Sequence, residues 1–318
     1  MPSISGAPLL SLVVPMYNES EGMAQFFSRA LPALEGITAS WEIVCINDGS
    51  QDNTLELLKG YHARDPRIRY LSLSRNFGKE AALSAGLHNT LGQAVIPLDA
   101  DLQDPPELIP QMVALWKQGY KVVLATRAQR TGDGWFKRLT ARAFYRLMSH
   151  LTRFEIPENT GDFRLMDAQV VEVIRLLPER TRFMKGLFAW AGFKSTRVYY
   201  DRPQRSAGQA KQDFSRLWQL AKDGIFSFTT FPLRLTTYAG AALSAFSITY
   251  AVYLFVRTIV RGVDVPGYAS LMTAILFIGG VQLLSLGIIG EYVGRIYREA
   301  KHRPLYVVDE ASEEGFNS

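Results

Sequence analysis

Val95-Ile96-Pro97-Leu98-Asp99-Ala100-Asp101-Leu102-Gln103-Asp104 decides how the chain is read, because an apolar strand runs into two carboxylates one residue apart with a third close behind. Alternate side chains of an extended backbone share a side, which places Asp99 and Asp101 together. Oxygen-only ligands suit Mg²⁺ or Mn²⁺, hard cations that keep coordination positions open for substrate phosphates. Asp104 has a simpler role. Pro105 and Pro106 follow it as first-turn residues, and Leu108, Met112 and Leu115 recur at helical spacing, so Asp104 is expected to cap a helix.

Around this segment, apolar strands alternate with amphipathic helices. Residues Leu9 to Pro15, Trp41 to Asn47, Ile68 to Leu73, Ala94 to Asp99 and Lys121 to Ala125 read as strands. Ser20 to Leu34, Thr54 to Tyr61, Lys79 to Leu91 and Glu107 to Lys117 read as helices. Repeated βαβ units predict an α/β fold with a mostly parallel, Rossmann-like sheet and right-handed crossovers. Ligands of such sheets bind beyond the carboxyl ends of the strands. There the sequence places Asn18-Glu19, Asp48-Gly49-Ser50, Ser74-Arg75-Asn76 and Asp99 to Asp101. Gly49 and Asn53 are explained as turn residues. No GxGxxG follows the first strand and no P-loop is present, which argues against a dinucleotide dehydrogenase and a P-loop NTPase. A diphosphate would have to be held by other means, such as a carboxylate-bound cation.

Near the C-terminus, Leu235 to Val256 and Gly267 to Gly290 are almost uninterruptedly apolar. About 22 residues at about 1.5 Å each span roughly 33 Å, enough for a bilayer core of about 30 Å. The short Arg257 to Pro266 connection makes the pair a helical hairpin. Lys222 and Arg234 precede it and Arg295, Arg298, Lys301 and Arg303 follow it, against Arg257 and Arg261 between the spans, so both ends are expected in the cytoplasm. Met1 to Pro8 lacks the pattern of a signal peptide, and the lone Cys45 fits a core thiol in a reducing compartment. The expected organisation is a cytoplasmic domain over 1–230, two membrane helices over 231–294 and a cytoplasmic tail over 295–318, a multi-pass protein of the inner membrane.

The 318 residues are 47% hydrophobic and carry a net charge of +5. Asp309, Glu310, Glu313 and Glu314 lie in the last ten residues, leaving +9 on the rest. That excess suits lipid headgroups or nucleotide phosphates, and no motif indicates nucleic acid.

Val13-Val14-Pro15-Met16-Tyr17-Asn18-Glu19, Asn47-Asp48-Gly49-Ser50-Gln51-Asp52, Arg75-Asn76-Phe77-Gly78-Lys79 and Asp99-Ala100-Asp101-Leu102-Gln103-Asp104 together resemble the successive motifs of family 2 glycosyltransferases, specifically the polyprenyl-phosphate branch. The resemblance covers residues 9–230. It implies a type A glycosyltransferase fold in which Pro15, Tyr17, Glu19, Asp48, Ser50, Arg75, Lys79 and Asp99-Ala100-Asp101 bind a nucleotide sugar. Asp99, Asp101 and Gln103 would hold the metal. Asn159-Thr160-Gly161-Asp162-Phe163-Arg164-Leu165-Met166 resembles the acceptor-side segment, in which Asp162 is the usual candidate for a catalytic carboxylate; with an acceptor that is already ionised it is expected mainly to orient the acceptor or a basic side chain. Arg202-Pro203-Gln204-Arg205-Ser206-Ala207-Gly208-Gln209-Ala210-Lys211 resembles a basic loop. Ala210 and Gln212 depart from its pattern, where a hydroxyl and an aromatic residue are common. Arg205 and Lys211 are then expected to act in catalysis, and Arg127, Arg202, Arg205 and Lys211 to contact the acceptor phosphate.

The activity so implied is inverting transfer of a hexose, glucose from UDP-glucose before mannose from GDP-mannose, onto polyprenyl (undecaprenyl) phosphate. A processive synthase would carry a Q-x-x-R-W motif, which is missing here, and a silent membrane scaffold would not need Asp99, Asp101, Arg205 and Lys211. Trp135 to Arg153 reads equally as an interfacial helix or a core-packed one, while Phe214 to Phe226 leads into the first span and favours membrane contact. Leu305-Tyr306-Val307-Val308 has strand character, but the acidic ending favours disorder; pairing with a neighbouring subunit of a homo-oligomer is the alternative.

Overall fold

The computed structural model describes residues 8–128, 160–180, 182, 184–200, 229–261 and 267–312. They fall into two compact units, one within 1–217 and 303–318 and the other within 218–302. The first is built on strands β1 (Leu10–Met16), β2 (Trp41–Asn47), β3 (Ile68–Leu73), β4 (Ala94–Pro97), β5 (Val122–Arg127), β6 (Thr160–Asp167), β7 (Ser195–Tyr200) and β8 (Val308–Ala311). Helices α1 (Met23–Glu35), α2 (Thr54–Arg64), α3 (Lys79–His88), α4 (Ile109–Lys117), α5 (Ala168–Leu176) and α6 (Met184–Trp190) cover it.

The eight strands form one sheet in the order β7-β5-β6-β4-β1-β2-β3-β8. β1 pairs in parallel with β2 and β4, β2 with β3, and β5 with β7. Strands β2 and β3 are buried along their whole length, which is why they read as mostly apolar without strict alternation, the buried Glu42 and Arg69 being paired with each other at 2.7 Å. One face packs Leu12, Val14, Ile43 and Cys45 with Phe26, Phe27, Leu34 and Leu58 of α1 and α2. On the other, α3 approaches so closely that a Cβ on Gly86 would lie 2.3 Å from Val13 Cγ1 and 2.6 Å from Ile46 Cδ1. Only glycine fits that contact without displacing core side chains. Burial also pushes the Cys45 thiol well above its usual pKa, in keeping with an inert core residue.

Two strands run against the others. β6 inserts between β4 and β5 and is antiparallel to both. Its first residues therefore lie at the carboxyl ends of the parallel strands. β8 adds antiparallel to the β3 edge, with Leu71 opposite Ala311 and Ser72 opposite Glu310. This corrects the expected disorder of the tail. Tyr306 is buried, Tyr70 Oη donates to Glu310 at 2.9 Å, Lys59 lies 3.0 Å from Glu310, and Ser74 N donates to Val307 O at 2.9 Å. The tail satisfies backbone groups of β3 that an edge strand otherwise leaves open.

The second unit contains α7 (Phe231–Arg261, 31 residues) and α8 (Tyr268–Ala300, 33 residues). Each is long and apolar enough to cross a bilayer, and large apolar side chains such as Phe246, Ile248, Leu271 and Leu283 are exposed along them. Tyr292 Oη donates to Thr229 O at 2.7 Å, tying the far end of α8 to the start of α7.

Candidate active site

The loops after β1 and β2 are stitched together. Asn18 N donates to Ser50 Oγ at 2.9 Å and its Oδ1 accepts from Gln51 N at 2.8 Å. Glu19 N donates to Thr54 Oγ1 at 3.0 Å and Ser20 N to Asp52 at 3.1 Å. Between them opens a polar cavity of about 590 Å³ lined by residues 18–22, Gln51 and Asp52. Pro15 lies within β1 opposite Ile46, and Tyr17, at 43% exposure, immediately precedes the lining residues in the chain. Burial, assisted by Asp101, Asp99 and Asp52, raises the pKa of Glu19.

Asp48, at the end of β2, is almost fully buried and accepts from the backbone N–H groups of Phe77 at 2.7 Å and Gly78 at 2.9 Å. It thereby anchors the loop that leads into α3. Gly49 beside it has φ +66°, and a Cβ there would lie 2.3 Å from the Arg75 carbonyl carbon. Arg75 itself is exposed, its guanidinium 4.1 Å from the Phe77 ring centroid.

Lys79, the first residue of α3, is the centre of the site. Its Nζ lies 2.7 Å from Asp99 and 2.8 Å from Asp162, which joins the loop after β3, the loop after β4 and the start of β6. Burial opposes the charge on Lys79, but the Asp162 and Asp99 carboxylates outweigh it and raise its pKa. Burial is also the main cause of the raised pKa of Asp99, with the Lys79 ammonium acting against it. Arg164 is fully buried behind Asp162. Its guanidinium donates to Gly161 O at 2.7 Å and lies over the Phe188 ring, and burial lowers its pKa to about 10.

β4 stops at Pro97, so Asp99, Ala100 and Asp101 lie in a turn rather than on the extended backbone the sequence suggested. Leu102 has φ +55° and Asp101 Oδ1 accepts from Gln103 N at 3.1 Å, so the local hydrogen bonding of Asp101 favours the turn over continued pairing. Asp104 is also corrected. The helical turn Pro106–Leu108 has no side-chain cap, and Asp104 is instead buried with Tyr200 and Arg127. No cluster of three or more His, Cys, Asp or Glu side chains converges among the described residues. The donor chemistry nevertheless fits a magnesium-like ion, which takes one or two carboxylates and leaves other positions to water and phosphate. Gln103 Oε1 adds a buried carbonyl oxygen with no hydrogen-bond partner among the described residues.

Arg202, Arg205, Lys211, Asn159 and both expected amphipathic segments, Trp135 to Arg153 and Phe214 to Phe226, lie outside the described residues. Sequence reasoning missed Arg164 and Tyr200 as parts of the site. An arginine in the otherwise apolar run Phe163 to Met166 was the available signal for the first, and for the second there was none.

The Glycosyl transferase family 2 profile matches residues 11–175 and the GtrB C-terminal hairpin profile matches residues 231–296. An uncharacterized glycosyltransferase of Synechocystis is 55% identical over 95% of both chains. The bactoprenol glucosyl transferase of Shigella phage SfV is 48% identical over 94% of this chain and 97% of its own. A prophage bactoprenol glucosyl transferase homolog of Escherichia coli is 46% identical, over 94% and 98%. The mostly parallel sheet is of the type A glycosyltransferase kind, and the two long apolar helices make the protein membrane-associated. From its first catalytic-domain strand to the hairpin, this chain belongs to glycosyl transferase family 2 and is a glycosyltransferase.

Proposed function

We propose that the protein transfers a hexose, glucose from UDP-glucose, to polyprenyl phosphate with inversion, at the cytoplasmic face of the membrane. The meeting of Lys79, Asp99 and Asp162 at the carboxyl edge of the sheet carries this reading, in a chain whose relatives include bactoprenol glucosyl transferases. The excess of basic residues at the two outer ends of the hairpin supports cytoplasmic placement of both termini.

In this reading the nucleoside lies along the cavity between Tyr17, Glu19, Ser50 and Asp52. Asp48 holds the Phe77-Gly78 backbone so that Arg75 and Lys79 face the diphosphate. Asp99 and Asp101, with the Gln103 amide oxygen, would hold Mg²⁺ or Mn²⁺, which when bound supplies charge neutralisation for the departing diphosphate. Arg127 with Arg202, Arg205 and Lys211 would bind the acceptor phosphate, guanidinium groups being suited to bidentate phosphate contact. The acceptor's second pKa is about 6, so at neutral pH it arrives largely ionised and needs little help from a base. Asp162 then serves to orient Lys79.

The test is to incubate membranes containing the protein with labelled UDP-glucose and GDP-mannose in separate reactions, with added polyprenyl phosphate, with and without chelator, and to extract the lipid. A metal-dependent glucosyl lipid is expected. A mannosyl product would correct the donor, full activity in chelator would remove the metal, and no labelled lipid from either donor would overturn the reading.

A further inference from the structure

Asp104 is the most deeply buried acid of the Asp99 to Asp104 segment, at 4% exposure, and the transfer chemistry above gives it no task. A buried carboxylate is costly to desolvate, so its partners indicate its purpose. Tyr200 Oη donates to Asp104 Oδ1, Arg127 Nη2 lies 3.7 Å from the same oxygen, and Arg127 Nε donates to Tyr200 Oη at 3.4 Å. These three residues come from the loop after β4 and the last positions of β5 and β7. Arg127 and Tyr200 are register partners in the β5–β7 ladder. The group sits against the residue preceding Asp162, since a Cβ on Gly161 would be 3.5 Å from Asp104 Oδ2 and 3.8 Å from Arg127 Nη2. Tyr200 also stands two residues before Arg202.

A guanidinium has five donors in a fixed plane. Here one edge is directed at Tyr200 and Asp104, and among the described residues Nη1 makes no hydrogen bond. The side chain is held in orientation without being saturated. We propose that Asp104 and Tyr200 are positioning residues that aim Arg127 at the acceptor phosphate and fasten the acceptor-side strands to the Asp99–Asp101 turn. The proposal rests on the function inferred above and assigns within it a role to two residues that need not touch either substrate.

The test compares Tyr200→Phe, Asp104→Asn, Arg127→Ala and the double variant Asp104→Asn/Arg127→Ala in the full-length protein. The readouts are KM for polyprenyl phosphate, kcat, UDP-glucose binding by calorimetry with Mn²⁺, and the thermal midpoint. Loss of orientation predicts an acceptor KM raised about tenfold in Tyr200→Phe and in Asp104→Asn, with kcat and donor affinity within about twofold of wild type, while Arg127→Ala, which removes the phosphate contact itself, raises the acceptor KM at least as much. Because both act through one guanidinium, Asp104→Asn adds nothing further once Arg127 is alanine. Tyr200→Phe, which keeps the ring, carries the test should Asp104→Asn fold poorly. An unchanged acceptor KM in folded Tyr200→Phe, or a full additional loss in the double variant, overturns the proposal while leaving the transfer reaction standing. Absence of wild-type transfer to polyprenyl phosphate overturns both.

Discussion

Lys79 Nζ lies 2.8 Å from Asp162 Oδ2, a contact that bridges the first turn of a helix and the start of the antiparallel strand inserted in the sheet. Replacing Lys79 by Met removes the ammonium that contacts both Asp162 and Asp99. Turnover is expected to fall about a hundredfold, the scale of losing one charge-stabilising donor. The thermal midpoint should fall only modestly, because the Lys79 side chain is 45% exposed even though Asp162, at 18%, loses a partner. Steady-state kinetics beside a melting curve checks both, and a collapse of the midpoint would make the residue structural instead.

Asp162→Asn keeps the size and a hydrogen-bonding oxygen but loses the charge facing Lys79. If Asp162 orients that ammonium, turnover drops about tenfold and the pH–rate profile above neutrality keeps its shape. A general base would supply about 10²–10⁴-fold, and its removal would alter the profile. The pH dependence of kcat distinguishes the two.

Asp48 accepts two backbone N–H bonds from the loop that delivers Lys79. Bonds to a charged group contribute about 1.5–3 kcal/mol each, and truncation strands the donors. Asp48→Ala is expected to cost about 2–4 kcal/mol of stability and to weaken donor binding together with it. Chemical denaturation and donor titration on the same preparation measure both effects.

His88 joins α3 to the C-terminal tail, its Nδ1 3.1 Å from Tyr306 Oη. Burial, with Arg182 and Arg175 nearby, pushes its pKa down from the ordinary 6.5 to about 4. The unfolded chain therefore takes up the proton first, and the imidazole contributes stability in full above about pH 6.5 that is lost as pH falls toward 4. The thermal midpoint should decline over that window, and less steeply in His88→Gln. Equal slopes in the two proteins would remove His88 as the cause.

The parallel core was legible because β1, β2 and β3 are buried on both faces, and burial demands the predominance of Val, Ile and Leu that marks them even where Ser11, Glu42 and Arg69 interrupt it. The polar residues at their ends were legible for the same topological reason. Asp99 and Asp101 were correctly grouped at a strand end but wrongly extended, since the local hydrogen bond from Gln103 N to Asp101 competes with strand pairing in a way that alternation does not reveal. Asp104 misled because an acid before two prolines has the pattern of a helix cap, while its partner Tyr200 is distant in sequence.

The amino-acid sequence alone determined the α/β class, the two helices long enough for a bilayer and the acids at the end of the fourth strand, because periodicity, length and turn chemistry are local. Tertiary structure decided that β6 runs antiparallel between β4 and β5, which carries Asp162 to the edge where Lys79 and Asp99 wait, and that the tail closes the β3 edge instead of trailing free. Both depend on strand pairing between residues far apart in the chain, whose free energy comes from shared burial and backbone hydrogen bonds that no single segment encodes.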